Sequence, residues 1–214
     1  MTEPGQTTRI RYDEGCLAAH ALNVMGDRWA LLVVRELMLA PKRFQMIRQG
    51  VPGITAAVLT QRLAQLAQAG VLTHDTVLGV YALTPSGQGL LPVLQAMCRW
   101  GAVHPGHDHR RFISPTALMI SMTAMIGDAQ GQVATAAFRT AREGFVQRLA
   151  GDGLLRVAAA ADPQGDFTLT GDGNSLAMAV YGPVPLADLA GQGVIALSGD
   201  ARAAQDFVDL FRLR

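Results

Sequence analysis

Few side chains of this 214-residue chain stand where type and spacing could do covalent or metal chemistry. The segment HPGHDHRR sets His104, His107 and His109 beside Asp108. Imidazoles at such spacing can hold zinc. The segment also carries Pro105 and Gly106 and joins two stretches of different texture, so it reads as a solvated linker and no metal is expected. Cys16 and Cys98 are the two cysteines, too few for a disulfide scaffold. A sensing thiol needs exposure and a lowered pKa. Asp13 and Glu14 lie nearer Cys16 than Arg11 does, which favours a small apolar residue at the head of the first helix. A redox role for Cys16 is the alternative. GDGN and GQG lack the pattern that cradles phosphate. No Ser-His-Asp set or carboxylate pair has a supporting context, so neither an enzyme nor a cofactor is expected.

Residues 53–72, GITAAVLTQRLAQLAQAGVL, offer recognition instead of catalysis. Thr55 can cap a helix whose Leu59, Leu63 and Leu66 share one stripe. The other face is short and uncharged. Alanines and small polar groups let a backbone lie close inside a major groove about 12 Å wide. Equally, an alanine-rich amphipathic helix is common in any helical core.

The surrounding elements weigh between these two readings. ALNVMG is a helix stopped by Gly26. Asp27 caps RWALLVVRELMLA, which is apolar nearly all round and ends at Pro41. KRFQMIRQG is a short helix, VPG a turn, and Gly70 stops the next helix. VLTHD and VYALT are two strands, and Pro85 opens a last helix through Trp100. Helices joined by a short turn and followed by a hairpin make a winged helix-turn-helix.

The charge is divided unevenly. Residues 1–112 hold 11 basic and 7 acidic side chains, and residues 113–214 hold 7 and 10. The excess in the first half suits a polyanion and suggests two units. No apolar run approaches the roughly 18 residues of a membrane span, and no signal segment is visible. A soluble cytoplasmic protein is expected, with no membrane partner.

From Cys16 to Gly101 the chain resembles the HxlR family of bacterial winged-helix regulators. The matching residues are CLAAHALNVMGDRWALLVVRELMLAPKRFQMIRQ, VPGITAAVLTQRLAQLAQAGVL and YALTPSGQGLLPVL. The resemblance implies a homodimer that binds double-stranded DNA, with the outer helices of each subunit packed together. It implies DNA contacts from Thr55, Ala57, Thr60, Gln61 and Arg62. Gln61 would read an adenine edge, Thr60 would touch a thymine methyl or phosphate, and Arg62 would flank a phosphate. Arg43, with Lys42 beside it, would meet the DNA backbone. Relatives often carry a basic residue at the position of Ala57, and some carry a redox thiol at that of Cys16. The wing has neither Lys nor Arg, and His74 is its only potential cation.

The second half reads as α+β with a mostly antiparallel sheet covered by helices. It looks like a sterol carrier protein type domain, on the GDG hairpin, DFTLTGDGNSLAMAVYG and the ending GQGVIALSGDARAAQDFVDLF. That resemblance implies an apolar cavity between sheet and helices. The candidate lining is Met119, Met122, Phe138, Phe145, Phe167, Met178, Tyr181, Phe207 and Phe211. Polar fixings for a ligand remain open among Tyr181, Arg139, Arg148 and Ser121. Met and Phe at such spacing also serve as plain core.

The expected organisation is a winged helix-turn-helix and dimerisation domain over 1–103, a linker over 104–112 and a ligand domain over 113–214. The expected function is a ligand-responsive regulator, a repressor acting as a homodimer on a palindromic operator and holding a small apolar effector in its second domain. One rival is a redox regulator switched by Cys16. Another is a lipid or small-molecule carrier whose winged helix is a docking module.

Overall fold

The computed structural model describes residues 11–211; residues 1–10 and 212–214 of the expected domains lie outside the described residues. Helix α1 (Leu17–Met25) stops at Gly26, whose N–H donates to the Leu22 carbonyl at 2.8 Å. A Cβ there would stand 2.4 Å from that same oxygen, so only glycine fits. Asp27 Oδ1 accepts from Trp29 N at 2.9 Å and turns the chain into α2 (Ala30–Leu37). That helix ends four residues before Pro41. The chain then forms strand β1 (Lys42–Arg43), where a helix start was expected, and enters α3 (Phe44–Gly50).

Thr55 caps α4 (Ala56–Gln68), accepting from Val58 N at 3.3 Å. Gly70, at φ +71°, turns the chain into β2 (Leu72–Asp75) and β3 (Val80–Leu83). β1 pairs with β3, giving an antiparallel sheet of order β1-β3-β2. The expected last helix is two pieces, α5 (Pro85–Gln88) and α6 (Leu91–Val103), parted at Gly89 and Leu90.

Ser114 caps α7 (Pro115–Met125), accepting from Ala117 N at 3.1 Å. The sheet of this half comprises β4 (Ala134–Arg139), β5 (Gly144–Leu149), β6 (Leu155–Ala159), β7 (Phe167–Thr170) and β8 (Ala196–Gly199), in the order β6-β5-β4-β7-β8. It is antiparallel except that β4 and β7 run parallel. Helices α8 (Gly173–Tyr181), α9 (Leu186–Gly191) and α10 (Ala201–Val208) complete it, with Asp172 and Asp200 as side-chain caps of α8 and α10. The chain is thus a winged helix-turn-helix followed by a mixed α+β unit.

The described residues form two apolar cores. One gathers Val33, Leu37, Ile47, Leu59, Leu63 and Leu66, and the other gathers Met119, Met122, Phe138, Phe145, Phe167 and Phe207. Helix α7 belongs to both: Ile120 joins the first core, while Leu118, Met119 and Met122 join the second. A helix clamped from two sides must be apolar all round, which accounts for the run TALMISM.

Candidate nucleic-acid interface

Helix α4 presents two unlike faces. Leu59, Leu63 and Leu66 are fully buried, and burying each stabilises the fold by about 1.5–3 kcal/mol. Ala57, Thr60, Gln61 and Ala64 are exposed together on the other side, as their spacing predicts. Thr55, also exposed, uses its oxygen as the cap acceptor and keeps its proton free to donate. Thr60 differs, because its hydroxyl donates to the Ala56 carbonyl at 2.9 Å. Donating to a phosphate would break that bond, so the group Thr60 offers outward is its methyl. The first turn of α4 also presents unsatisfied N–H groups, which favour an anion.

The wing follows at once. His74 stacks on Tyr81 across β2 and β3, with ring centroids 4.2 Å apart. Asp75 Oδ1 accepts from both Val77 N and Leu78 N at 2.9 Å and fixes the turn. The tip is apolar, with Val77 93% exposed.

Two of the basic residues expected at phosphate are turned inward instead. Arg62 is buried and its guanidinium meets Asp27 Oδ2 at 2.5 Å, tying the middle of α4 to the turn before α2. Lys42 is only 3% exposed. Its ammonium reaches Glu143 Oε1 at 2.6 Å, Thr116 Oγ1 at 2.8 Å and Glu36 Oε2 at 3.2 Å. A cation so enclosed holds the two halves together and has no path to DNA. The reason is positional: strand β1 alternates its faces, so Lys42 points in and Arg43 points out to solvent. What the residue types do not reveal is the partner set. The Gly-Asp-Arg-Trp and Gln-Arg-Leu steps carry Asp27 and Arg62, but 35 positions separate them. Arg48, near the end of α3, is exposed and adds a cation that sequence reasoning passed over.

The residues expected around an apolar chamber mostly close on one another. Met119, Met122, Phe138, Phe145, Phe167, Phe207 and Phe211 are buried members of one core. Phe207 packs between Phe167 and Phe211 at centroid distances of 5.6 and 5.2 Å. Met178 lies outside this set, half exposed. Tyr181 bonds Ser121 Oγ at 2.9 Å, and burial pushes its phenol up from its ordinary pKa. Open space occurs elsewhere, in clefts of about 670 and 450 Å³ where the β4–β5 turn meets α3 and β1. Cys16 is exposed at the N-cap of α1, whereas burial raises the pKa of the Cys98 thiol. Beyond α6, Asn174 accepts from Ile113 N and donates to the Arg111 carbonyl, fastening the end of the 104–112 segment to α8.

A short-turn helix pair, an open neutral helix face and an adjoining wing define a winged helix-turn-helix DNA-binding protein. Residues 24–109 match the HxlR-like helix-turn-helix family. An HTH-type transcriptional regulator of Methanothermobacter thermautotrophicus is 32% identical over 98 residues, covering 44% of this chain and 75% of the relative. YodB, an HTH-type transcriptional regulator of Bacillus subtilis, is 36% identical over 85 residues, covering 37% and 76%. The crystal structure of quinone-bound YodB from B. subtilis superposes on 39% of this chain and 93% of that one, at 33% identity and a TM-score of 0.37. The chain belongs to the HxlR-like family and is a transcriptional regulator. No helix among the described residues is long and apolar enough to cross a membrane.

Proposed function

We propose that the protein acts as a homodimer on a palindromic operator, represses transcription there, and responds to a small, largely apolar effector held by its C-terminal half. The observation that carries the DNA half of this reading is the uncovered face of α4, where Thr55, Ala57, Thr60 and Gln61 stand exposed beside the wing. Gln61 reads an adenine edge, the Thr60 methyl meets a thymine methyl, and Arg43 takes a phosphate. Exposed apolar side chains support the dimer. Val93, Met97, Trp100 and Val103 recur along one side of α6, and Leu17 and Leu22 stand out on α1. Large apolar groups left in water at such spacing favour burial against a second copy. The C-terminal half, read as sterol-carrier-like, supplies the effector response through its shared helix α7.

A gel shift with the DNA upstream of the protein's own gene tests this. A specific, dimer-sized complex at physiological salt is expected. Absence of any specific complex would support the carrier reading, in which the winged helix docks to protein. A redox reading has one observation in its favour, the exposure of Cys16. Cys16→Ser separates the two: an unchanged effector response removes the redox switch, and a lost response to oxidant establishes it.

A further inference from the structure

The effector response needs a place for the effector, and Phe138, Phe145, Phe167 and Phe207 lie buried together in the core of the C-terminal half. We propose that the effector sits at the junction of the two halves, in the cleft between α3 and the β4–β5 turn, and is a compact apolar carboxylic acid held by Arg142. This rests on the ligand-responsive reading above.

The cleft measures about 670 Å³, within the roughly 300–1,000 Å³ typical of small-molecule sites. Met46, Phe112, Pro115 and Ala141 give it an apolar lining. Phe112 is 54% exposed there, an aromatic ring left in water beside open space. The charged groups around the cleft are mostly committed. Glu36 Oε1 takes Arg35 and Ser114 Oγ, and Glu36 Oε2 takes Lys42. Glu143 takes Lys42, Arg139 takes Asp162, and Asp172 caps Ser175 N. Arg142 is in no ion pair among the described residues, and its guanidinium donates to the neutral Gln49 Oε1. A carboxylate is a better acceptor for guanidinium than a neutral amide oxygen, through its opposite charge and its two-point geometry. An acid entering the cleft therefore takes Arg142 from Gln49.

That exchange reaches the DNA-binding elements directly. Gln49 lies on α3, the first helix of the helix-turn-helix. Its neighbour Gly50 is pressed on Glu36: a Cβ at Gly50 would stand 2.1 Å from Glu36 Oε2. The Gly50 carbonyl accepts from Arg35 Nη2 at 2.8 Å. Freeing Gln49 loosens the C-terminal half from the end of α3, five residues before the cap of α4.

The test uses the full-length protein with octanoate and 3-phenylpropanoate as probes and their amides as neutral matches. Calorimetry should show saturable binding of the acids and at least about tenfold weaker binding of the amides, the factor expected for about 1.4 kcal/mol from the charged bond. Backbone amide shifts should centre on Gln49, Ala141 and Phe112. Arg142→Gln should lose acid binding by a similar factor, and Ala141→Trp should block the cleft. Gln49→Ala should tighten the acids, since no competitor remains, and blunt their effect on operator affinity. All three positions are exposed, so folding is expected to survive. No acid binding at millimolar concentration, shifts centred on Met119 and Met122, or wild-type binding by Ala141→Trp would each overturn the proposal. A protein that binds the acids as described but forms no operator complex would refute the DNA reading and leave the cleft site standing.

Discussion

Helices α4 and α7 start from similar material, small and apolar residues with threonine or serine among them, and end in opposite situations. Helix α4 keeps one face bare because a single core claims it, through Leu59, Leu63 and Leu66. Helix α7 is claimed by two cores and keeps no face. Each half can therefore meet a partner in a different place. On α4 a partner can lie along the helix. Around α7 the side chains are buried from both sides, and the clefts open at the junction. The same contrast separates the buried cations: Arg62 braces a helix that faces outward, and Lys42 locks two units that face each other.

The contrast breaks most sharply at the junction. Lys42→Met leaves Glu36 and Glu143 without their shared cation, and should cost about 3–5 kcal/mol in urea unfolding, as removing one member of a buried pair does. A loss below about 1 kcal/mol would mean that water reaches the cluster. Next comes α7 itself. Met119→Ala should cost about 2–5 kcal/mol, the range for a solid core; near-neutrality would restore the chamber expected from sequence. Asp27→Ala then tests the brace, with a loss of about 1.5–3 kcal/mol from a hydrogen bond to a charged group.

On the bare face the effects move from stability to recognition. Gln61→Ala should leave the melting midpoint within a degree or two, since exposed positions change stability little. Its preference for adenine at one operator position should fall by about 1–3 kcal/mol, read from competition against operator variants. Smallest is the electrostatic effect. Arg43→Ala should make the slope of log affinity against log salt shallower by about 2 per dimer. A wild-type slope near −10 would require far more phosphate contacts than the exposed cations of this face can make.

The helix-turn-helix was legible because its signals are local. Thr55 and Gly70 bound α4, its leucines recur at helical spacing, and the wing strands follow with a turn between them. The GDG hairpin of the second half, between β5 and β6, was legible for the same reason. Strand β1 was not, because two residues carry no period and their pairing with β3 is a contact across some 40 positions. The parallel pairing of β4 with β7 was hidden likewise. Among candidate site residues, Ala57, Thr60 and Gln61 stand exposed as their helical phase predicts. Lys42 and Arg62 do not, since a residue's type says it is cationic but not which carboxylate will reach it.

Sequence alone determined most of the order of elements, the neutral face of α4 and the family, because periodicity, capping residues and motif spacing act within a few residues of one another. Tertiary structure decided what those elements enclose. Whether Met119 and Phe138 line a chamber or fill one depends on how closely layers approach, and whether Lys42 meets a phosphate or Glu143 depends on which halves come together. Both are set by packing between residues far apart in the chain, where burial and charge pairing outweigh any local preference.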